Sequence, residues 1–216
     1  MRKTYLVVFV AVVLLSLGVT AALYPQLPSL IPVHWNAHGQ ADGWGPRAAL
    51  FVHTAVLVAV GLLLLALPKI SPRRFAVESF ESTFWFSGMA VVCLLGYLQC
   101  VHLVGALRGG FPVDRAMLGG VGLFFVLAGN VMGKVRRNFW LGVRTPWTLA
   151  NERVWYATHR LAARTMVIGG VLVLAVALGG WPTPLAVAAL VGAALVPAGY
   201  SLVYYKRLER QGTLEA

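Results

Sequence analysis

Charge is what this sequence has least of. Only 12% of its 216 residues are Asp, Glu, Lys or Arg and 59% are apolar, against about 25% charged in an ordinary soluble domain. That balance excludes a water-soluble globule, which needs more polar surface, and it points to a chain whose outer face meets lipid. Cysteine is nearly missing: Cys93 and Cys100 both sit in an apolar run, which excludes a disulfide scaffold and a CxxC metal or redox site. Acids are the rarer charges, 7 against 18 Lys and Arg. The apolar runs carry no relay of carboxylates and no broken helix, so a transport path has little support.

What the chain does have is six apolar runs, over residues 4–23, 48–67, 83–107, 116–133, 165–181 and 183–205. Their length, without period-2 alternation, predicts transmembrane helices and an all-α membrane protein. Arg2 and Lys3 before the first run, with Val19-Thr20-Ala21 near its end, also fit a cleaved signal peptide. The length of the run and the five spans after it favour an uncleaved anchor.

A net charge of +11 and a pI near 10.4 taken alone suggest nucleic acid. Placing the charges changes that. With the N-terminus inside, fifteen of the 18 cations fall in inside segments and only Arg47, Arg108 and Arg115 fall outside. This positive-inside pattern predicts both termini in the cytoplasm and no direct nucleic-acid binding, the cations instead meeting anionic lipid headgroups. Seven of the fifteen lie within 134–164, more than orientation requires. Trp181, Tyr200, Tyr204 and Tyr205 are placed as interfacial anchors.

Two segments do not span. In the outer loop 24–47, Pro25, Pro28 and Pro32 forbid a continuous helix, and Gly39, Gly43 and Gly45 supply turns. The expected form is an extended stretch over 31–36, a turn over 37–40 and a return through Trp44: a small lid or hairpin on the extracytoplasmic surface, with Trp35 and Trp44 as apolar anchors. His34, His38 and Asp42 stand at i, i+4, i+8, a spacing that would converge on zinc, or serve a membrane-embedded metal-dependent enzyme, if the segment were helical. Gly39 and the prolines argue against that helix and favour hydrogen-bonded loop histidines. Sensing of external pH by His34 and His38 stays open.

In the cytoplasmic loop 134–164, Thr145-Pro146 sets a turn or a first helical position, and Asn151 is an N-cap for an amphipathic helix that runs to Arg164 and into the fifth span. Glu152, Trp155 and His159 share one face of it, with Arg153, Arg160 and Arg164 on the adjacent stripe. One reading has Trp155 packed in the bundle, Glu152 paired with an arginine and the arginines on lipid phosphate. A second makes the loop a recognition surface for a cytoplasmic partner or anionic ligand, centred on Arg144 and His159. A third makes His159 and Glu152 an acid–base pair. No nucleophile, metal cluster or phosphate loop accompanies them, so the balance leans away from an enzyme. Within the membrane His53, Gln99 and His102 are the polar groups to place, with Gln99 and His102 at i, i+3 facing His53. They serve either as interhelical hydrogen bonds or as the path of a small transporter. Gly129 and Gly133 predict a close helix crossing, and Asn130 between them is expected to anchor the loop.

Asn130, Gly133, Asn138, Gly142, the block Arg144-Thr145-Pro146-Trp147-Thr148-Leu149, Trp155 and Thr158-His159-Arg160 resemble the signature of the SdpI family. These are bacterial membrane proteins named for immunity to a sporulation-delaying peptide toxin. Leu27-Pro28, Ile31-Pro32-Val33-His34-Trp35-Asn36, Gly39 and Asp42-Gly43-Trp44 resemble the uncharacterised domain that commonly precedes it. The resemblance implies a multi-pass protein of the bacterial cytoplasmic (inner) membrane, with an N-terminal segment 1–70 and a four-span domain 71–216. It implies immunity to a secreted antimicrobial peptide and signalling through a small cytoplasmic transcriptional repressor held at the membrane. The candidate partner-binding residues are then Asn130, Asn138, Arg144, Thr145, Pro146, Trp147, Glu152, Trp155, His159 and Arg160 on one side, and Trp35 and Trp44 on the other. No resident cofactor is expected.

Overall fold

The computed structural model describes residues 1–36 and 39–214. Six long helices dominate it: α1 (Arg2–Leu23), α2 (Leu50–Ile70), α3 (Glu81–Leu107), α4 (Val113–Met132), α6 (Glu152–Gly179) and α7 (Thr183–Arg210), with a one-turn helix α5 (Pro146–Ala150) before α6. All six are long and apolar enough to cross a membrane. Large apolar side chains such as Val7, Leu14, Leu178 and Leu195 are exposed on their outer faces, as expected of surface solvated by lipid tails. The expected helix from Asn151 merges unbroken into the fifth span. Its arginine stripe, Arg153, Arg160 and Arg164, is exposed.

Packing forms two groups of three. In the first, α3 lies against α1 and α2; in the second, α6 lies between α4 and α7; α3 and α4 join them. The first group closes around aromatic rings. Tyr5 is fully buried, stacks on Phe9, packs at a tilt against Trp85, and donates its hydroxyl proton to the Gly61 carbonyl at 2.8 Å. The second closes by backbone approach. A Cβ at Gly170 would lie 2.6 Å from the Gly122 carbonyl oxygen, and one at Gly129 would lie 2.9 Å from the Val167 nitrogen. Of the predicted glycine pair, Gly129 therefore makes the α4–α6 crossing, whereas Gly133 meets only Ala163 Cβ at 4.0 Å. Small residues let helix backbones approach in a medium that offers no hydrophobic drive between helices.

The outer loop folds as expected into a hairpin: β1 (Leu30–Trp35) pairs antiparallel with β2 (Ala41–Pro46), with irregular register on both sides of His34. Ile31 and Leu27, with Leu50, Leu103 and Ala106, seat it on the ends of α2 and α3. At the opposite end of the bundle lie both termini and the 133–151 loop. Asn151 and Arg153 donate to the carbonyls of Leu214 and Thr213, and Arg137 stacks over the Phe75 ring of the α2–α3 connection.

Candidate functional site

The signature residues between 135 and 159 build one compact core under the loop. Asn138 is fully buried and spends its whole carboxamide on backbone. Nδ2 donates to the carbonyls of Arg136 at 2.7 Å and Leu141 at 3.1 Å, and Oδ1 accepts from the amides of Trp140 at 2.7 Å and Leu141 at 2.8 Å. It therefore does in place of a helix or strand what those elements do for themselves, which is to satisfy a turn that has no ladder. The chain next passes through Gly142 at φ +103°, where a Cβ would sit 2.1 Å from His159 Nε2. Glycine is required there on both counts.

Beyond Gly142 the Val143 amide donates to His159 Nε2 at 3.0 Å, while His159 Nδ1 donates to the Trp155 carbonyl at 2.8 Å. These partners select one neutral tautomer, with the proton on Nδ1. The imidazole stacks on Trp155 at 4.0 Å between ring centres, and Trp155 Nε1 donates to the Val135 carbonyl at 2.8 Å. Neither ring is exposed. Thr145 then caps α5 in a reciprocal box with Thr148, and Pro146 takes the first helical position. Thr148 also donates to the Val143 carbonyl at 2.8 Å, and Thr145 bonds Ser201 of α7 at 2.9 Å. Asn151 caps α6 by accepting from the Val154 amide at 3.1 Å.

Several expectations are corrected by this geometry. Trp155 is packed in the bundle, as the first reading of the loop has it, and His159 is interior beside it, so His159 cannot centre a recognition surface. Glu152 is exposed, so the pair cannot share an acid–base site. Glu152 accepts from the Tyr156 hydroxyl at 3.2 Å, so its link to an arginine, Arg136, runs through that hydroxyl. That hydroxyl also meets Arg136 at 2.5 Å, holding the guanidinium above its ordinary range. Asn130 is exposed on α4, and the anchoring role expected of it belongs to Asn138. What the loop does present outward is Arg144, whose guanidinium donates to the Phe139 carbonyl, together with Pro146 and the half-buried Trp147, while Arg160 is exposed on α6. Ser201 carries no signal in the sequence, and Thr148 is marked there only as part of the signature block; the spacing of Thr145 and Thr148 at Ncap and N3 is the available signal for its capping role.

At the hairpin end, His34 Nδ1 and Asp42 Oδ1 pair across the strands at 2.5 Å and both side chains are well exposed. The third residue of the expected metal set, His38, lies outside the described residues. Among the described residues no group of three ligand-type side chains converges. Trp44 is 61% exposed. It and the half-buried Trp35 border a cavity of about 490 Å³ between the hairpin and the α3–α4 turn, with Arg108 and Phe111 on its rim.

Below the hairpin the polar residues of the spans do meet. His102 Nε2 donates to the Pro32 carbonyl of β1 at 2.7 Å, and its Nδ1 faces His53 Nε2 at 3.4 Å. Trp35 packs edge-on against the same imidazole. One turn deeper, buried Gln99 donates to the Thr20 hydroxyl at 2.9 Å and accepts from the Thr54 hydroxyl at 3.0 Å. These bonds tie α1, α2, α3 and the hairpin together. Cys93 and Cys100 are free thiols.

Two family models match separate parts of the chain. Residues 134–204 match the SdpI/YfhL protein family, the segment that holds the buried loop core, α6 and most of α7. Residues 11–58 match a domain of unknown function (DUF1648), which holds the hairpin and the helices that carry it. Over 204 residues, 94% of this chain and 96% of the relative, the sequence is 26% identical to the Immunity protein SdpI of Bacillus subtilis (strain 168). No solved structure matches. The chain is thus similar to the SdpI family over residues 134–204 and to an immunity protein along nearly its whole length, and its six long apolar helices make it a multi-pass membrane protein.

Proposed function

We propose that this protein confers immunity to a secreted antimicrobial peptide from within the bacterial cytoplasmic membrane. The hairpin end faces outward to meet the peptide, and the 133–151 loop faces the cytoplasm. The observation that carries the reading is the end-to-end similarity to an immunity protein, which spans the hairpin segment as well as the signature loop. The cation distribution supports the orientation. An exposed tryptophan beside a cavity of about 490 Å³ supports the peptide-facing role, since aromatic anchors beside pockets dominate peptide and protein recognition.

Immunity is tested by expressing the chain in a strain killed by a secreted peptide toxin. Protection is expected, and Trp44→Ala should abolish it while leaving the amount of protein in the membrane unchanged. A chain that protects against no peptide in a panel of such toxins sinks the reading.

The cytoplasmic face adds a signalling arm. Arg144 and Pro146 are exposed on a loop that the buried Asn138, Trp155 and His159 hold in shape, with Arg160 exposed on α6, and these residues would dock the small repressor that the family resemblance implies. Arg144→Ala should release such a partner from the membrane without lowering toxin resistance. An unchanged reporter in that variant removes the signalling arm and leaves immunity standing.

A further inference from the structure

The loop core and the hairpin leave unexplained a polar cavity of about 600 Å³ at the end of the bundle that carries the termini. It lies where α3 begins, α4 ends and α6 begins, which is the level of lipid headgroups for helices that span. The stretch leading into α3 supplies Glu78, Glu81 and Thr83 to it; the stretch after α4 supplies Lys134 and Arg136, and α6 supplies Tyr156. Among the described side chains the ion pairs are His34–Asp42 and Lys206–Glu209. No ion pair closes between the two signs of charge at this cavity: Glu81 accepts from Trp85 Nε1 at 2.9 Å and Arg136 donates to the Tyr156 hydroxyl, while Glu78 and Glu81 also border a neighbouring cavity with Arg2 and Lys69. A ligand that complements it carries an anion for the cations and a cation for the carboxylates.

A soluble zwitterion and a lipid headgroup share that chemistry, and a second cavity distinguishes them. An apolar crevice of about 270 Å³ lies between Ala90, Leu94 and Tyr97 of α3 and Gly120, Leu123 and Leu127 of α4. Thr83, Ala90, Leu94 and Tyr97 stand at i, i+7, i+11 and i+14, on one face of α3. The crevice therefore begins roughly 10 Å deeper along the same seam, seven residues at about 1.5 Å each. Leu123 and Leu127 are 52% and 39% exposed, so it opens toward lipid. Its inner end is closed by Tyr97, whose hydroxyl donates to the Ala116 carbonyl at 2.9 Å. That ring fits only because position 120 is glycine: a Cβ there would lie 2.4 Å from it.

We propose that the α3–α4 seam is a binding site for a phospholipid with an amine-bearing headgroup. The phosphate sits at Lys134 and Arg136, the ammonium at Glu78 and Glu81, and one acyl chain lies in the crevice below. The site is independent of toxin immunity, and basic pockets between helix ends are an established kind of lipid site.

The test uses the full-length protein in nanodiscs of equal phosphatidylethanolamine, phosphatidylglycerol and phosphatidylcholine, released into mild detergent and read by native mass spectrometry. One retained ethanolamine lipid per chain is expected, several-fold over the glycerol lipid. Lys134→Ala with Arg136→Ala should cut retention of every phospholipid roughly thirty-fold, at about 1 kcal/mol for each of the two cations. Glu78→Gln should erase the preference for the amine while leaving the glycerol lipid bound. Ala90→Phe, which fills the crevice, should lower lipid retention yet leave binding of soluble phosphoethanolamine, followed by calorimetry, unchanged. Thermal unfolding of each variant reports on folding. Wild-type protein that retains no lipid above the bulk ratio, or retention unmoved by the double cation variant, overturns the proposal. Equal retention of the glycerol and ethanolamine lipids by wild-type protein overturns the amine assignment.

Discussion

A methyl group at position 142 would meet the His159 ring on a backbone already at φ +103°. The conformation alone costs a non-glycine residue about 1–3 kcal/mol, and displacing the imidazole sacrifices the Val143 hydrogen bond, worth about 1 kcal/mol more. Gly142→Ala is therefore expected to lower the unfolding temperature in detergent and to speed hydrogen exchange at the Val143 amide. Gly199→Ala, whose Cβ meets nothing within 4 Å, should leave both unchanged or gain slightly. At Asn138 a substitution that keeps the size of the side chain isolates the chemistry. Asn138→Asp keeps the acceptors for Trp140 and Leu141 but turns an oxygen toward the carbonyls of Arg136 and Leu141. It should therefore destabilise the loop at least as much as Asn138→Ala, with thermal unfolding as the measure. The identity of these residues was legible in the sequence, since the block from Asn138 to Arg160 carries the family resemblance. Their role was not. Spacing on a helical wheel puts Glu152, Trp155 and His159 on a shared face, but only the packed loop shows that Trp155 and His159 are roofed over while Glu152 is left in water.

Helices and strands were more legible than side-chain roles, because long uncharged runs and clustered prolines act through the backbone itself. The hairpin follows from three prolines and three glycines, and its strands lie within a residue or two of where those residues put them. What holds it down was only half visible. His53, Gln99 and His102 announce themselves as polar groups in apolar runs, whereas their partners are a main-chain oxygen of Pro32 and two threonines that no local pattern marks. The magnitudes rank these contacts. Interhelical hydrogen bonds in lipid average about 0.6 kcal/mol because the unfolded state in the membrane finds other partners. Gln99→Leu should accordingly cost little in unfolding assays. Ile31 is fully buried under the hairpin, and its truncation to alanine should cost about 2–5 kcal/mol. Ile31→Ala is thus expected to expose the 24–47 segment to protease cleavage at a temperature where Gln99→Leu remains intact.

At the scale of the whole molecule, six antiparallel crossings put the hairpin at one end of the bundle and both termini with the signature loop at the other, whichever way the protein is inserted. The charge pattern predicts which of the two insertions is used. Fifteen of 18 Lys and Arg lie on or beside the end that carries the termini, a margin that no single substitution reverses under the positive-inside rule. The expected outcome is direct. In a background with Cys93 and Cys100 replaced by serine, Gln40→Cys at the hairpin tip should react with a membrane-impermeant thiol reagent in intact cells. Thr213→Cys, beside the signature loop, should react only after permeabilisation, and Arg144→Ala should leave both patterns as they are. The result bears on function as well as on insertion. Labelling of Thr213→Cys in intact cells would place the tryptophan-bordered hairpin in the cytoplasm, out of reach of a peptide that arrives from outside, and the proposed division of labour between the two ends would fail with it.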